Sequence, residues 1–258
     1  GAMSTLDIAS IETTDIGSLK TAAIAALSTN QAKALTTDQI VALGSAQIGA
    51  LTSAQIGGMS SGQIAAIETN DIGALKTAAI AALTTNQTAA LSTDQFQQLS
   101  TAQISAMTTA NLAVLTTDQI VAMSSNQFGA LSSNQFNALS TTDIAAIETA
   151  DIIGLKTSII ATLKTAQLAA LTTDQLSNLT TGQIAAITTA NIQALTTDQV
   201  VALTSTQIGA LSSAQVGAMS TLDIASIETT DIGSLKTAAI AALSTNQAKA
   251  LTTDQIVA

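Results

Sequence analysis

Leu35-Thr36-Thr37-Asp38-Gln39-Ile40-Val41-Ala42-Leu43 contains one complete unit of a pattern that runs through all 258 residues of the chain. Apolar residues occupy every eighth position from Met3 to Leu251, which makes 32 positions in all. A Ser or Thr follows two residues after each of them. A second series, five residues after the first, holds Ile, Leu, Val or Phe except at Ala32, Thr88 and Ala248. This fixed eight-residue period shows that the chain is an octapeptide repeat array, and such a repeat determines the whole fold.

Each octad has the composition of a short helix with a polar start. Ile40 and Leu43 are three residues apart and would share one helix face. Ser and Thr residues just upstream can cap free backbone N–H groups. Thr36 and Gln39 have the spacing of a capping box, whereas the unbroken hydroxyl series at Thr37 favours that residue. We expect Thr37 and its equivalents to be the N-caps.

Neither one long helix nor an isolated octad satisfies this pattern. Eight helical residues leave a rotation of about 80° per octad, so the apolar stripe would wind around a continuous helix. Two buried side chains contribute roughly 3–6 kcal/mol, against an ordering cost of about 1–2 kcal/mol for each residue. We therefore predict an all-α solenoid of very short helices, one per octad, as a single continuous array over residues 1–258.

The alternative fold is a β-solenoid in which three octads form a 24-residue coil. Ile, Val and Thr favour strands, and Thr and Gln ladders suit such coils. The spacings of five and three residues, however, place the two apolar series on opposite faces of a strand.

Gln precedes the second apolar residue in 19 of the 32 octads. We expect these glutamines to form a ladder with adjacent backbone.

The composition disfavours several functional classes. With seven Lys, no Arg and 17 acidic residues, the net charge of −10 repels nucleic acid. The chain has no His, Cys or Tyr, so we predict no catalytic, metal or cofactor-binding residues, and no enzyme. No apolar run is long enough to span a membrane, and we expect no membrane insertion.

One charged pattern departs from the octad background. It appears as Glu12 to Lys20 and recurs as Glu68 to Lys76, Glu148 to Lys156 and Glu228 to Lys236. Glu and Lys then stand one octad apart, as surface neighbours of consecutive octads. A solvated ion pair would contribute under about 1 kcal/mol. The alternative is a docking mark that recurs along a fibre.

The two ends of the chain carry the same sequence. Residues 1–42 are identical to residues 217–258, a whole number of octads further along. This duplication indicates a segment excised from a longer protein, with exposed ends that could associate end to end. Gly1-Ala2-Met3 is either a cloning remnant or native sequence, because residues 217–219 repeat it.

Two resemblances bear on function. Leu35 to Leu43 resembles the opening helix of TAL-effector repeats, L-T-P-x-Q-V-V-A-I, but the 34-residue period, the base-reading loop and the basic character are missing. The whole chain resembles Thr/Ala/Gln-rich arrays of very large bacterial surface or secreted proteins, described as adhesins or haem-utilisation exoproteins. That resemblance implies an extended spacer, stalk or filament scaffold at the bacterial surface or outside the cell. The alternative is a binding module whose Ser/Thr-rich surface recognises ice or a protein.

Overall fold

The structure, a computed structural model, describes residues 3–258. Gly1 and Ala2, and with them the question of whether Gly1-Ala2-Met3 is native, lie outside the described residues. Contacts divide the chain into two units, Gly1–Ala138 and Leu139–Ala258. A single continuous array over residues 1–258 stays a prediction.

The first unit consists of short α-helices joined by tight connections. They are α1 (Thr5–Ala9), α2 (Thr13–Ser18), α3 (Thr21–Ala25), α4 (Thr29–Ala34), α5 (Thr37–Val41), α6 (Ser45–Ile48), α7 (Ser53–Gly58), α8 (Ser61–Ala65), α9 (Thr69–Ile72), α10 (Thr77–Ala81), α11 (Thr85–Ala89), α12 (Thr93–Gln97), α13 (Thr101–Ala106), α14 (Thr109–Leu112), α15 (Thr117–Val121), α16 (Ser125–Ala130) and α17 (Ser133–Phe136).

The second unit has the same construction, with one 3₁₀ helix at Ile152–Gly154. Its α-helices are α18 (Thr141–Ala146), α19 (Thr157–Ile160), α20 (Thr165–Ala169), α21 (Thr173–Ser177), α22 (Thr181–Ala186), α23 (Thr189–Ile192), α24 (Thr197–Val201), α25 (Ser205–Ala210), α26 (Ser213–Ala218), α27 (Thr221–Ser226), α28 (Thr229–Ile232), α29 (Thr237–Ala241), α30 (Thr245–Ala250) and α31 (Thr253–Val257). Residues 3–258 contain no strand. The predicted all-α solenoid is confirmed, and the β-solenoid alternative is wrong.

The first hydroxyl of each Ser/Thr pair begins the helix. Thr36 is the N-cap of α5, with an extended backbone at φ −76° and ψ 162°. Its hydroxyl accepts a hydrogen bond from the Gln39 backbone N–H at 3.2 Å, and its own N–H donates to Gln39 Oε1 at 2.9 Å. The expectation that Thr37 is the cap was wrong. In a capping box, the side chain three residues after the N-cap accepts a hydrogen bond from the N-cap N–H. For Thr37 that residue would be Ile40, which has no side-chain acceptor.

Three octads complete one coil of the solenoid, and any three consecutive octads within a unit form a coil. Helices pack on the helix one coil away: α4 on α7, α7 on α10 and α10 on α13. Helix α4 begins at Thr29 and α7 at Ser53, three octads further along the chain. Both apolar series fill the interior, where Ile40 and Ile48 are 0% exposed and Leu43 is 1% exposed. The core is therefore a narrow column of Ile and Leu side chains.

Small residues let successive coils approach closely. A Cβ built on Gly17 would lie 2.8 Å from the carbonyl oxygen of Ala42 in the following coil. The same atom on Gly49 would lie 3.0 Å from the Ala74 carbonyl oxygen. Backbone therefore lies directly on backbone where one coil crosses the next.

Candidate functional surface

A buried glutamine joins each coil to the preceding one. The Gln119 side chain is 2% exposed, and its Nε2 donates to the carbonyls of Leu91 at 2.8 Å and Thr88 at 3.0 Å. Its Oε1 accepts from the Thr116 N–H at 3.0 Å. One amide thus bonds three backbone groups at the ends of short helices, where intrahelical partners are few.

The same bond is made by every glutamine at this position. All 19 donate from Nε2 to the carbonyl of the first-series apolar residue 28 positions earlier, at 2.6–3.0 Å; we call this the inter-coil bond. Asn111 and Asn191 donate equivalently to Leu83 and Leu163. The predicted glutamine ladder is confirmed. Its acceptors lie in the neighbouring coil, which the octad pattern alone did not indicate.

The octads that contain Glu68 and Lys76, here called the charged octads, lack both the side-chain capping bond and the inter-coil bond. Glu68 and Lys76 are the N-caps of α9 and α10, and neither makes a side-chain capping bond. Both side chains are exposed. The residues three positions later, Asp71 and Ala79, carry no amide. Two consecutive octads therefore have neither a capping hydroxyl nor an inter-coil bond.

In two octads of the Glu-to-Lys pattern, a buried carboxylate forms a hydrogen bond with the preceding coil. Asp71 is 7% exposed and accepts a hydrogen bond from the Ser45 hydroxyl of the preceding coil. Asp231 is 8% exposed and accepts from the Ser205 hydroxyl in the same way. At these positions the preceding coil donates and the following coil accepts, the reverse of the inter-coil bond.

The charged pattern does not form one row along either unit. Glu68 follows Glu12 by seven octads, which is two coils plus one octad. Glu228 follows Glu148 by ten octads, which is three coils plus one octad. Each recurrence within a unit therefore falls on a different side of the coil. This placement favours a solvated surface feature over a docking mark on one face.

Clusters of titratable or metal-binding side chains are scarce in the part of the chain that the structure describes. Among residues 3–258, no group of three or more His, Cys, Asp or Glu residues is placed to hold a metal ion. Hydrogen bonds donated by Ser4, from its backbone N–H and then its hydroxyl, hold the pKa of Asp7 below its ordinary value. In the same described residues, no helix is both long and apolar enough to cross a membrane.

The duplicated sequence is covered in one copy and open in the other. Ile24 and Ile40 are 0% exposed, whereas their equivalents Ile240 and Ile256 are 51% and 68% exposed. In the first copy, α6, α7 and α8 pack on α3, α4 and α5. In the second copy, α29–α31 pack on α26–α28, and no helix of the described residues follows them.

A cavity therefore opens on α29–α31, lined by residues that include Ile232, Leu235, Ile240, Leu243, Leu251 and Ile256. Exposed ends were expected from the duplicated sequence, and the exposed Ile240 and Ile256 lie at one of them.

Comparison with known families agrees with this geometry. The family model described as the ALTTAQ repeat matches residues 8–45, 40–66, 64–101, 96–125, 115–141, 144–181, 176–205, 184–221 and 224–258. The chain belongs to the ALTTAQ repeat family. Residues 34–39, Ala-Leu-Thr-Thr-Asp-Gln, differ from the six letters of the family name at one position. In the ALTTAQ octad, these letters span the extended connection, the N-cap and the glutamine of the inter-coil bond. No curated protein matches the chain.

Proposed function

We propose that this ALTTAQ array is a structural repeat segment that acts as an extended spacer, stalk or filament scaffold, without catalysis. The observation that supports it is the inter-coil bond, which recurs at the same octad position from Gln31 to Gln255. Repeats that contact only their neighbours can be added without altering those already present. Length is then the property that such an array varies most easily.

The setting we propose is a very large, adhesin-like bacterial protein that is secreted or displayed at the cell surface. Support comes from the Thr/Ala/Gln-rich composition, which resembles that of such arrays. A spacer of this kind would hold a terminal binding domain away from the cell body.

Small-angle X-ray scattering tests the spacer proposal. A compact protein of this length has a radius of gyration of about 18 Å. A spacer should give a clearly larger radius and the scattering of a rod, unchanged on dilution once the chain is monomeric. A monomer with a radius near the compact value would contradict the proposal.

A second candidate is a binding module for ice or a protein. The observation that favours it is the second hydroxyl of each pair, which capping leaves unused. Thr101, and Thr77 at the same octad position after Lys76, are both exposed, on the packed helices α10 and α13. An ice-recrystallisation assay of the wild type and of Thr77→Lys/Thr101→Lys tests it, with Ala78→Lys/Ala102→Lys as the matched control. If none of the three proteins affects ice growth, the proposal that ice is the ligand is wrong.

A further inference from the structure

We propose that the unit Leu139–Ala258 contains a joint, where the coil of residues 219–242 packs on the coil of residues 195–218. At this joint the two coils part and close again while their helices stay folded. The coil of residues 219–242 makes no inter-coil bond to the coil before it, and we call such a coil a ladder gap. In a stack of repeats, the boundary with the weakest interface opens most often.

The gap follows from three residues at the octad position that holds glutamine elsewhere. Helices α27, α28 and α29 pack on α24, α25 and α26, but this position holds Asp223, Asp231 and Ala239. None of these side chains has an amide to donate. The three carbonyls that lie 28 positions earlier therefore receive no inter-coil bond.

Those carbonyls belong to buried residues. They are the carbonyls of Leu195, Leu203 and Leu211, which are 5%, 2% and 0% exposed. Water has little access to them while the two coils are packed. A buried acceptor that lacks a donor costs free energy, and water supplies a donor once the coils part. The gap therefore removes stabilisation from the closed state and favours opening.

The boundary between residues 163–186 and residues 187–210 is a matched comparison. Asn191, Gln199 and Gln207 donate across it to the preceding coil at 2.7–2.8 Å. Parting either pair of coils exposes a comparable apolar surface, because the same two apolar series fill the interior at both boundaries. The hydrogen bonds then decide which boundary opens more often.

Two further kinds of bond cross both boundaries. One joins a hydroxyl to the side chain at the glutamine position, and the other comes from the amide of the octad after the coil. At the gap they run from Ser205 to Asp231 and from Gln247 to Val216. At the matched boundary they run from Thr165 to Asn191 and from Gln215 to Ile184. The gap therefore differs by the three inter-coil bonds.

The Glu-to-Lys pattern marks these interruptions in the sequence. In each of its four occurrences, the octad of the Glu and the octad of the Lys have no amide at the glutamine position. Those positions hold Asp15 and Ala23, Asp71 and Ala79, Asp151 and Ile159, and Asp231 and Ala239. The octad before Glu148 has Asp143 there, and it begins at Leu139, where contacts divide the chain into two units. The division thus coincides with three consecutive octads that lack the amide.

Under the spacer proposal, on which this role rests, the joint makes the array compliant. Tension along the array would part the coils at the gap before any helix unfolds. The connection between residues 218 and 219 would keep them joined. The opening itself depends only on the two coils that meet at the gap.

Thiol labelling of the folded protein measures the opening. The chain has no Cys, so one introduced thiol reports on one site. Ile208→Cys lies in α25, which packs on α28 across the gap, and Ile184→Cys lies in α22, which packs on α25 across the matched boundary. Both isoleucines are 0% exposed. We expect an aromatic disulfide reagent to label Ile208→Cys about 100-fold faster, because three fewer hydrogen bonds oppose opening.

Restoring the amides should close the joint. In the background Asp223→Gln/Ala239→Gln, two inter-coil bonds can form, and labelling of Ile208→Cys should slow about tenfold or more. The matched control is Leu222→Gln/Ala238→Gln, which adds the same side chains at exposed neighbouring positions. It should leave the labelling rate unchanged.

A partial gap in the other unit gives an intermediate case. Within residues 67–90, only Gln87 makes the inter-coil bond, to Met59. Ile48 is 0% exposed in α6, which packs on α9 across this boundary. Ile48→Cys should therefore label faster than Ile184→Cys and more slowly than Ile208→Cys. A rate equal to that of Ile184→Cys would break the link between missing amides and opening.

The joint would also be overturned by equal labelling of Ile208→Cys and Ile184→Cys, by restored amides that leave labelling as fast, or by a control that slows it equally. Circular dichroism should show that each variant keeps its helices. If Ile208→Cys does not fold, Val216→Cys, at a 0% exposed residue of α26, tests the effect of the restored amides. Labelling and scattering are independent measurements, so a failed joint would leave the spacer proposal intact.

Discussion

At the residue scale, the glutamine at the third helical position explains how helices this short are stable. A helix of four to six residues leaves most of its own N–H and C=O groups without intrahelical partners. Gln39 accepts from the Thr36 N–H and donates to the carbonyls of Ile8 and Ile11. The shorter Asn111 still donates to Leu83. It makes no reciprocal capping bond, so both functions together require the length of glutamine.

Replacing Gln119 by Glu should separate these two functions. The substitution keeps an oxygen for the Thr116 N–H but places a carboxylate against the carbonyls of Leu91 and Thr88. We expect the free energy of unfolding to fall by about 3 kcal/mol in urea denaturation at neutral pH. Part of the loss should return at acidic pH, where the protonated carboxyl can donate.

The matched control for this measurement is Asp118→Asn, an exposed change next to Gln119. It should alter stability by less than about 0.5 kcal/mol. If Gln119→Glu were equally silent, the inter-coil bond would have no part in stability.

Thr88 is the one polar residue of the second apolar series. Its side chain is 0% exposed, and its hydroxyl has no hydrogen-bond partner. Thr88→Val keeps the shape and removes an unsatisfied polar group. We expect thermal denaturation to show stabilisation of about 1 kcal/mol. Thr36→Val is the control, because it removes a capping hydroxyl and should destabilise.

At the element scale, the choice of cap sets where each helix begins. Thr116 is the N-cap of α15 and accepts from the Gln119 N–H at 3.2 Å, whereas Thr117 is the first helical residue. We expect Thr116→Ala to lower the free energy of unfolding by about 1 kcal/mol. Thr117→Ala, one residue along, should have an effect under about 0.5 kcal/mol. Equal losses from both would mean that the second hydroxyl also caps.

An octad that lacks the inter-coil bond should gain stability when the glutamine is restored. Lys164 shows that a lysine N-cap is compatible with the arrangement, because its N–H donates to Gln167 Oε1 while Gln167 Nε2 donates to Leu139. Ala79→Gln in α10 would place the same amide within reach of the Leu51 carbonyl, the equivalent acceptor in the preceding coil. We expect a gain of about 1 kcal/mol in urea denaturation.

Ala78→Gln is the control for that gain, because Ala78 is exposed in the same helix. Its effect on the free energy of unfolding should be close to zero. A loss of stability in Ala79→Gln would show that the charged octads have no space for the amide.

At the scale of the whole molecule, each helix packs mainly on the helices one coil before and one coil after it within its unit. The stability of such an array is close to a sum over its repeats and the interfaces between neighbouring repeats.

The sequence by itself determined the local unit. The unbroken apolar series from Met3 to Leu251 and the residues between them specify a helix with one buried face, and Gln39 and its equivalents already stood out as a ladder. The helix and its buried face depend on neighbours within one octad. The N-cap was predicted one residue too late, at Thr37, because the Ser/Thr series was weighted above the capping-box spacing of Thr36 and Gln39.

Only the tertiary structure decided how octads combine. An eight-residue period is compatible with any number of octads per coil, since that number depends on the bend at each extended connection and on how coils pack. Three per coil followed from the packing of α4 on α7, and with it came the acceptors of the glutamines. The clearest case is Ile24 and Ile240, which share one local sequence yet are 0% and 51% exposed. Burial is set by the helix that packs on a residue, and that helix lies a whole coil away along the chain.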